Sequence, residues 1–171
     1  MKYLILTIML VFCKTATSFS QDIFSAARNN DTVGLVHFLN SGNKIDTTDS
    51  RGSTPLIIAV YNGNLEAAKL LLEHGAAVDA QDRSGNTAMQ GACFRGYLEI
   101  VILLHAYKAD LNLVNHNGAT ALIFSSTFGH EKIVRFLLKK GADKNLRDRR
   151  GKNALDYALN QENHEIANLL K

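Results

Sequence analysis

The 171-residue chain has no tryptophan, one proline and two cysteines, and each scarcity excludes something. Two thiols, Cys13 and Cys93, cannot build a disulfide framework or a four-cysteine zinc site. A lone Pro55 among 12 glycines rules out collagen-like and proline-rich low-complexity chains. No charge of one sign dominates: 19 Lys and Arg stand against 16 Asp and Glu, a formal net charge of +3. Two of those cations, Lys2 and Lys14, lie in a segment expected to be removed, and without them 17 basic residues face 16 acidic ones. So even a balance is no argument for nucleic acid. With 46% hydrophobic and 20% charged residues, the chain can build a core and is not a disordered polymer.

Long apolar runs are also missing, with one exception at the N-terminus. Lys2 precedes an apolar stretch from Tyr3 to Phe12 that only Thr7 interrupts, and the small, polar Thr15-Ala16-Thr17-Ser18-Phe19-Ser20 follows. That is the three-part layout of a secretory signal peptide. At ~1.5 Å rise per residue, such a run is too short for a ~30 Å hydrocarbon core, so no stable membrane span is expected after signal removal. Ser18 and Ser20 supply the small side chains that signal peptidase needs, placing the cut before Gln21; Ala16 and Ser18 offer a second choice, before Phe19. Two other readings compete. A hydrophobic first helix of the domain has no place in the repeat pattern below. Lipid attachment at Cys13 needs a small residue where Phe12 stands. The expectation is a signal peptide over 1–20 and a folded domain over 21–171.

A period of 33 governs that domain. Gly52, Gly85, Gly118 and Gly151 keep this step, as do Leu56, Met89, Leu122 and Leu155. So do Leu71, Leu104, Leu137 and Leu170, and likewise Asp49, Asp82, Asn115 and Asp148. A fixed period of this size signals a solenoid. The first full copy reads Asp49-Ser50-Arg51-Gly52-Ser53-Thr54-Pro55-Leu56, then Asn62-Gly63-Asn64, then Leu70-Leu71-Leu72-Glu73-His74-Gly75-Ala76. These residues resemble the ankyrin-repeat family, whose copies open on D-x-x-G-x-T-P-L and close on L-L-x-x-G-A. The resemblance covers nearly all of 22–171. It divides the chain into an N-terminal capping repeat 21–48, full repeats 49–81, 82–114 and 115–147, and a C-terminal capping repeat 148–171. The implied fold is an all-α ankyrin-repeat solenoid of helix-turn-helix units with β-turn or hairpin tips. The family's T-P-L-H has no His here, because Ile57, Gln90, Ile123 and Asp156 occupy that place. The hydrogen bonds that His makes between repeats are then absent or replaced.

Local chemistry predicts the same units. Thr54, Thr87 and Thr120 are good N-caps, and Pro55 suits a first helical turn. Gly63, Gly96 and Gly129 stop the first helix of each copy, and Asn64 is expected to cap the second. Asp49 to Gly52 forms a tight turn, since Asp folds back on its own backbone. Every glycine is assigned to a turn or a helix stop. Asn29, Asn30, Asp31, His37 and Asn40 make the first repeat wetter, and His164, Asn168 and Lys171 give the last helix a polar face. Capping repeats need such faces.

No reactive constellation is visible. Cys93 falls where neighbouring copies carry Val60 and Ser126, beside the small column Ala59, Ala92, Ser125 and Ala158. It reads as a buried small hydrophobe rather than a nucleophile. His74, His105, His116, His130 and His164 do not share one face at metal-ligand spacing, so no metal is expected. His105 takes a slot filled elsewhere by Leu72 and Leu138 and reads as an interface residue. Ser125, Ser126 and Thr127 lack an oriented base or acid, and no glycine loop cradles a phosphate. The chain is therefore read as a non-enzyme without cofactors.

What remains is surface. In ankyrin arrays the turn tips and the exposed side of the first helices form a concave strip that binds proteins. Carried onto matching positions, the resemblance implies partner-binding residues Arg51, Tyr61, Arg83, Asn86, Phe94, Arg95, His116, Phe128, Arg149 and Arg150. Exposed Tyr61, Phe94 and Phe128 beside arginines have the composition of interface anchors; the competing reading is that these rings pack between neighbouring copies. Arg147, Arg149, Arg150 and Lys152 suit an acidic partner, or equally a solvated tip held by Asp148. The expectation is a monomeric protein-binding module. The chain is similar to small exported bacterial ankyrin proteins, some linked to protecting oxidative-stress enzymes such as catalase. That likeness implies a periplasmic module that protects or regulates such an enzyme. The alternative is a secreted, extracellular effector that binds a host or competitor protein.

Overall fold

The computed structural model describes residues 22–171. The export-signal reading of 1–20 lies outside the described residues. Ten helices and no strand are found among them, arranged as five antiparallel pairs. The inner helices are α1 (Ile23–Arg28), α3 (Pro55–Tyr61), α5 (Ala88–Arg95), α7 (Ala121–Thr127) and α9 (Ala154–Asn160). Each is followed by an outer helix: α2 (Thr32–Asn40), α4 (Leu65–Glu73), α6 (Leu98–Ala106), α8 (Glu131–Lys139) and α10 (His164–Leu170). The architecture is an all-α solenoid of helix-turn-helix units.

The inner helices start as their caps dictate. The hydroxyls of Thr54, Thr87 and Thr120 accept hydrogen bonds from the backbone N–H of Ile57, Gln90 and Ile123, at 3.3, 3.3 and 3.2 Å. They end on glycines whose φ is positive, +77° at Gly63 and +81° at Gly96. A second constraint acts there. A Cβ on Gly63 would lie 2.9 Å from the Tyr97 ring, and one on Gly96 would lie 2.6 Å from the His130 ring. Each following repeat thus presses a ring onto the turn before it, so glycine is needed for space as well as for φ.

The repeats stack through their inner helices, which touch their neighbours more extensively than the outer helices do. The column at the contact is small: Ala59, Ala92, Ser125 and Ala158 are all fully buried. Behind it Leu71, Leu104 and Leu137 are completely covered, each contributing roughly 1.5–3 kcal/mol of apolar burial.

Three polar ladders join the copies. At the tips the N–H of Arg83, His116 and Arg149 donates to the carbonyl of Arg51, Ser84 and Asn117, at 3.0, 2.9 and 2.9 Å. Beyond the outer helices Asp46, Asp79 and Asn112 accept from the N–H of Ala77, Asp110 and Asp143. At the inner-to-outer turns Asn64 reaches back to the carbonyls of Ala27 and Arg28, both at 2.8 Å, and the His130 imidazole meets the Phe94 carbonyl at 3.1 Å. This corrects the expectation for Asn64, whose side chain makes no bond to its own helix. Two orphan carbonyls of the preceding helix compete for its amide and win.

The missing T-P-L-H histidine is replaced once. The Gln90 amide donates to the Leu113 and Ala119 carbonyls at 2.8 and 3.0 Å, while its oxygen accepts from Thr87 N–H at 3.0 Å. Gln90 closes a capping box and ties its repeat to the next with one fully buried group. Another expectation fails: Gly34 and Gly91 are neither turn nor helix stop but lie inside α2 and α5.

Three non-glycine residues among those described have positive φ: Asn30 at +55°, Lys108 at +66° and Glu162 at +55°. Lys108 stands where Gly42, Gly75 and Gly141 stand, and its φ is +66°, against +77°, +85° and +90° for those glycines. A side chain in this left-handed region costs about 1 kcal/mol or more. Lys108→Gly is therefore expected to raise the unfolding midpoint by roughly 2–4 °C for a domain of this size. Calorimetry of both proteins checks this; an unchanged or lower midpoint would mean that the lysine repays its strain elsewhere.

Candidate partner-binding surface

The inner helices and tips line one side of the array. On it, four of the expected residues come together around a single ring. Phe94 lies parallel to Tyr61 with centroids 5.9 Å apart and 9° between the planes. Phe128 meets it edge-on at 4.6 Å, and Phe124 at 6.3 Å. The Arg95 guanidinium sits 5.3 Å from the Tyr61 centroid and 5.7 Å from that of Tyr97, and donates to the Tyr97 hydroxyl at 3.2 Å. Aromatic faces attract a cation, and a guanidinium held on two of them has fewer rotamers to lose on binding.

The cluster corrects one expectation. Phe94 is not an exposed ring; it is half-buried at the centre of its neighbours. Exposure belongs to the rings around it, Tyr61 at 47% and Phe128 at 48%. Phe94 supports the strip, and its neighbours present it.

The tips behave differently. The Asn86 side chain is engaged: its Oδ1 accepts from Asn115 at 2.8 Å, and its amide donates to Asp82 at 3.3 Å. It links two tips. Arg51 is exposed but leans on Asp49 at 3.4 Å. Arg83 lays its stem over Gly52 and His116 lays its ring over Gly85, both residues remaining exposed. Arg149 and Arg150 project from the last tip, two repeats beyond Arg83. Of the basic cluster there, Arg147 is fastened to the Gly151 carbonyl at 2.6 Å and to Asp156 at 3.1 Å. Lys152 lies 5.8 Å from the Tyr157 ring centroid. Tyr97, Phe124 and Gly91 also shape this surface and were not singled out from the sequence. Phe124 and Gly91 share a 33-residue column with Ile58 and Tyr157, which is the signal that marks them.

Reactive chemistry finds little support in these positions. Cys93 is fully buried, and burial pushes its thiol well above the ordinary range, opposite to what a nucleophile requires. The Ser126 hydroxyl is buried with no hydrogen-bond partner, so no base orients it. His105 packs edge-on against Phe136 at 5.6 Å, an interface role. Among the described residues no three His, Cys, Asp or Glu gather as a metal site, and no helix is long and apolar enough to cross a membrane.

An ankyrin-repeat family model built from three copies matches residues 23–115 and again 92–171. The chain belongs to the ankyrin-repeat family. Proteins of this family are typically non-catalytic protein–protein interaction modules, which implies protein partners. No curated protein matches the chain.

The tip carboxylates carry a pH signature. Burial alone would raise the Asp148 carboxyl, but hydrogen bonds from the Tyr157 hydroxyl and from Lys152 and Arg150 N–H outweigh it and hold the group below its ordinary 3.8. A depressed folded pKa contributes stability that is complete above 3.8 and drains as pH falls through the lower folded value. Asn115 fills the same place in the third tip and accepts from the matching N–H groups, at 2.9 and 3.0 Å. Asp148→Asn should therefore lose that contribution at neutral pH and flatten the loss of stability below about pH 4. Midpoints of both proteins measured between about pH 2 and pH 7 check this; parallel curves would refute it.

Proposed function

We propose that this chain is exported and works outside the cytoplasm as a non-catalytic docking module, gripping a protein partner through its concave strip. The observation that carries this reading is the half-exposed Tyr61 and Phe128 packed against Phe94, with Arg95 over the Tyr61 ring, on a surface that no part of the described chain covers. Aromatic and arginine side chains are the usual anchors of protein interfaces, and losing one often costs ~2 kcal/mol or more of binding. The export arm rests on the layout of residues 1–20, and the periplasm is the compartment proposed. The partner class, a periplasmic stress enzyme, rests on the likeness to small exported ankyrin proteins.

Two measurements test the two arms. Mass spectrometry of protein expressed as the full chain should find a mature N-terminus at Gln21; retention of Met1, or lipid on Cys13, would sink the soluble exported form. For binding, the half-buried Phe94 is a poor target because its loss would loosen three neighbouring rings. Arg83 and Arg95 are exposed and join no ion pair among the described residues. The double change Arg83→Glu and Arg95→Glu should weaken capture of the native partner at least about tenfold with little change in unfolding midpoint. Charge changes at Lys69 and Lys132 on the outer helices should leave capture intact. Normal capture by the double variant would show that the strip is the wrong surface.

A further inference from the structure

Gly91 has no evident structural reason to be glycine. It lies inside α5, its φ is not in the left-handed region, and glycine is among the poorest residues for a helix interior. Nor does crowding demand it. A Cβ there would find one neighbour, Tyr61 Cδ2 at 3.8 Å, which is ordinary contact. Its equivalents one repeat either way, Ile58 and Phe124, and Tyr157 beyond, are all large. What glycine leaves is a hollow in the concave strip. A cavity of about 220 Å³ opens over Gly91 and Gln90, walled by Ile57 and Tyr61 on one side and by Phe94 and Phe124 on the other. That is small for a free cofactor or drug-sized molecule, which takes roughly 300 Å³ or more, but it admits one side chain.

The surroundings specify what lies beside that side chain. Sharing Ile57 and Tyr61, a shallower groove of about 500 Å³ runs toward the tips, where Arg51 and Arg83 line it. Arg95 stacks on Tyr61, a residue that both cavities share. Every glutamate of the chain lies elsewhere: Glu66, Glu73, Glu99, Glu131 and Glu165 on outer helices, and Glu162 in the turn leading to the last. Asp82 lines both cavities, its Oδ1 accepting from the Ser84 and Asn86 N–H groups and its Oδ2 from the Asn86 amide. A hollow with apolar walls thus adjoins exposed arginines.

We propose that the Gly91 hollow is an anchor pocket for one bulky apolar side chain of a partner protein, presented on a segment with acidic residues on both flanks. The inference rests on the concave-strip reading and deepens it. Charge complementarity selects the flanks, and the walls of Ile57, Tyr61, Phe94 and Phe124 select the anchor. A helix-favouring residue that fills the hollow should harm recognition while helping the fold, a combination that separates binding from stability.

The test uses protein purified from cells expressing the full chain, and synthetic dodecapeptides with Asp and Glu flanking one central residue. Central Phe, Leu or Trp is compared with central Ala, and acidic flanks with lysine flanks. The wild type should bind the acidic peptides with a bulky centre at least tenfold better than either control, less so at high salt. Gly91→Leu should lose that preference while keeping or raising the unfolding midpoint; Gly91→Ala should raise the midpoint and weaken binding partially. Equal binding by wild type and Gly91→Leu overturns the pocket. In that case, if Arg83→Glu with Arg95→Glu still lose the native partner, the strip stands without its pocket; if they too bind normally, the strip falls as well. A lower midpoint for Gly91→Ala would show that the glycine serves the fold, and the proposal fails. Equal retention of uncharged peptides, or a dimer that Gly91→Leu abolishes, also overturns it, since the hollow would then hold an apolar ligand or a second copy.

Discussion

The close approach of one inner helix to the next is the contact on which the molecule depends. A helix pair of this size cannot bury its apolar face alone, so its stability is borrowed from the neighbour. The column Ala59, Ala92, Ser125 and Ala158 sets how near the neighbours come, since nothing larger than a methyl or hydroxymethyl stands between the backbones. The polar ladders need that spacing. Arg83 N–H reaches the Arg51 carbonyl, and Gln90 reaches the Ala119 carbonyl, only because the repeats are already in register. Ala92 enlarged to Leu would therefore lose hydrogen bonds at the tips as well as packing in the core.

The same approach builds the aromatic cluster. Rings at the same or adjoining positions of successive repeats meet when their backbones are close, which is how Tyr61, Phe94 and Phe128 become one cluster though each is a repeat or more apart in sequence. It also explains why two of the inner-to-outer turns are glycine. With the copies this close, the Tyr97 and His130 rings occupy the space a Cβ would need on Gly63 and Gly96. Backbone freedom and steric room are two demands met by one residue.

Much of this was legible from periodicity. Columns at a step of 33 identify the helices, caps, stops and core, because each column has one physical job in every copy. Reading failed where a residue's partner lies in another copy. Asn64 looks like a helix cap by position, yet it serves Ala27 and Arg28, 37 and 36 residues back in the chain. Gln90 looks like a lost histidine, yet it restores the bond between repeats. Phe94 looks exposed by column, yet two neighbouring rings cover it. A column says what a position does on average; the departures from it are settled by the residues stacked above and below.

Those departures stand out in an array whose regular positions are committed to stacking. Lys108 and Gly91 depart in opposite senses: one puts a side chain where the backbone wants glycine, the other puts glycine where the helix wants a side chain. They fall in the same repeat, 82–114, which also carries Gln90, Phe94 and Arg95. A middle copy has a neighbour on either side to support it. The extra tie from Gln90 to Leu113 and Ala119 adds support on the side facing the third copy. Stability lost inside α5 is thereby offset at its interface, and the hollow over Gly91 stays open, held between two repeats that have no need to collapse into it.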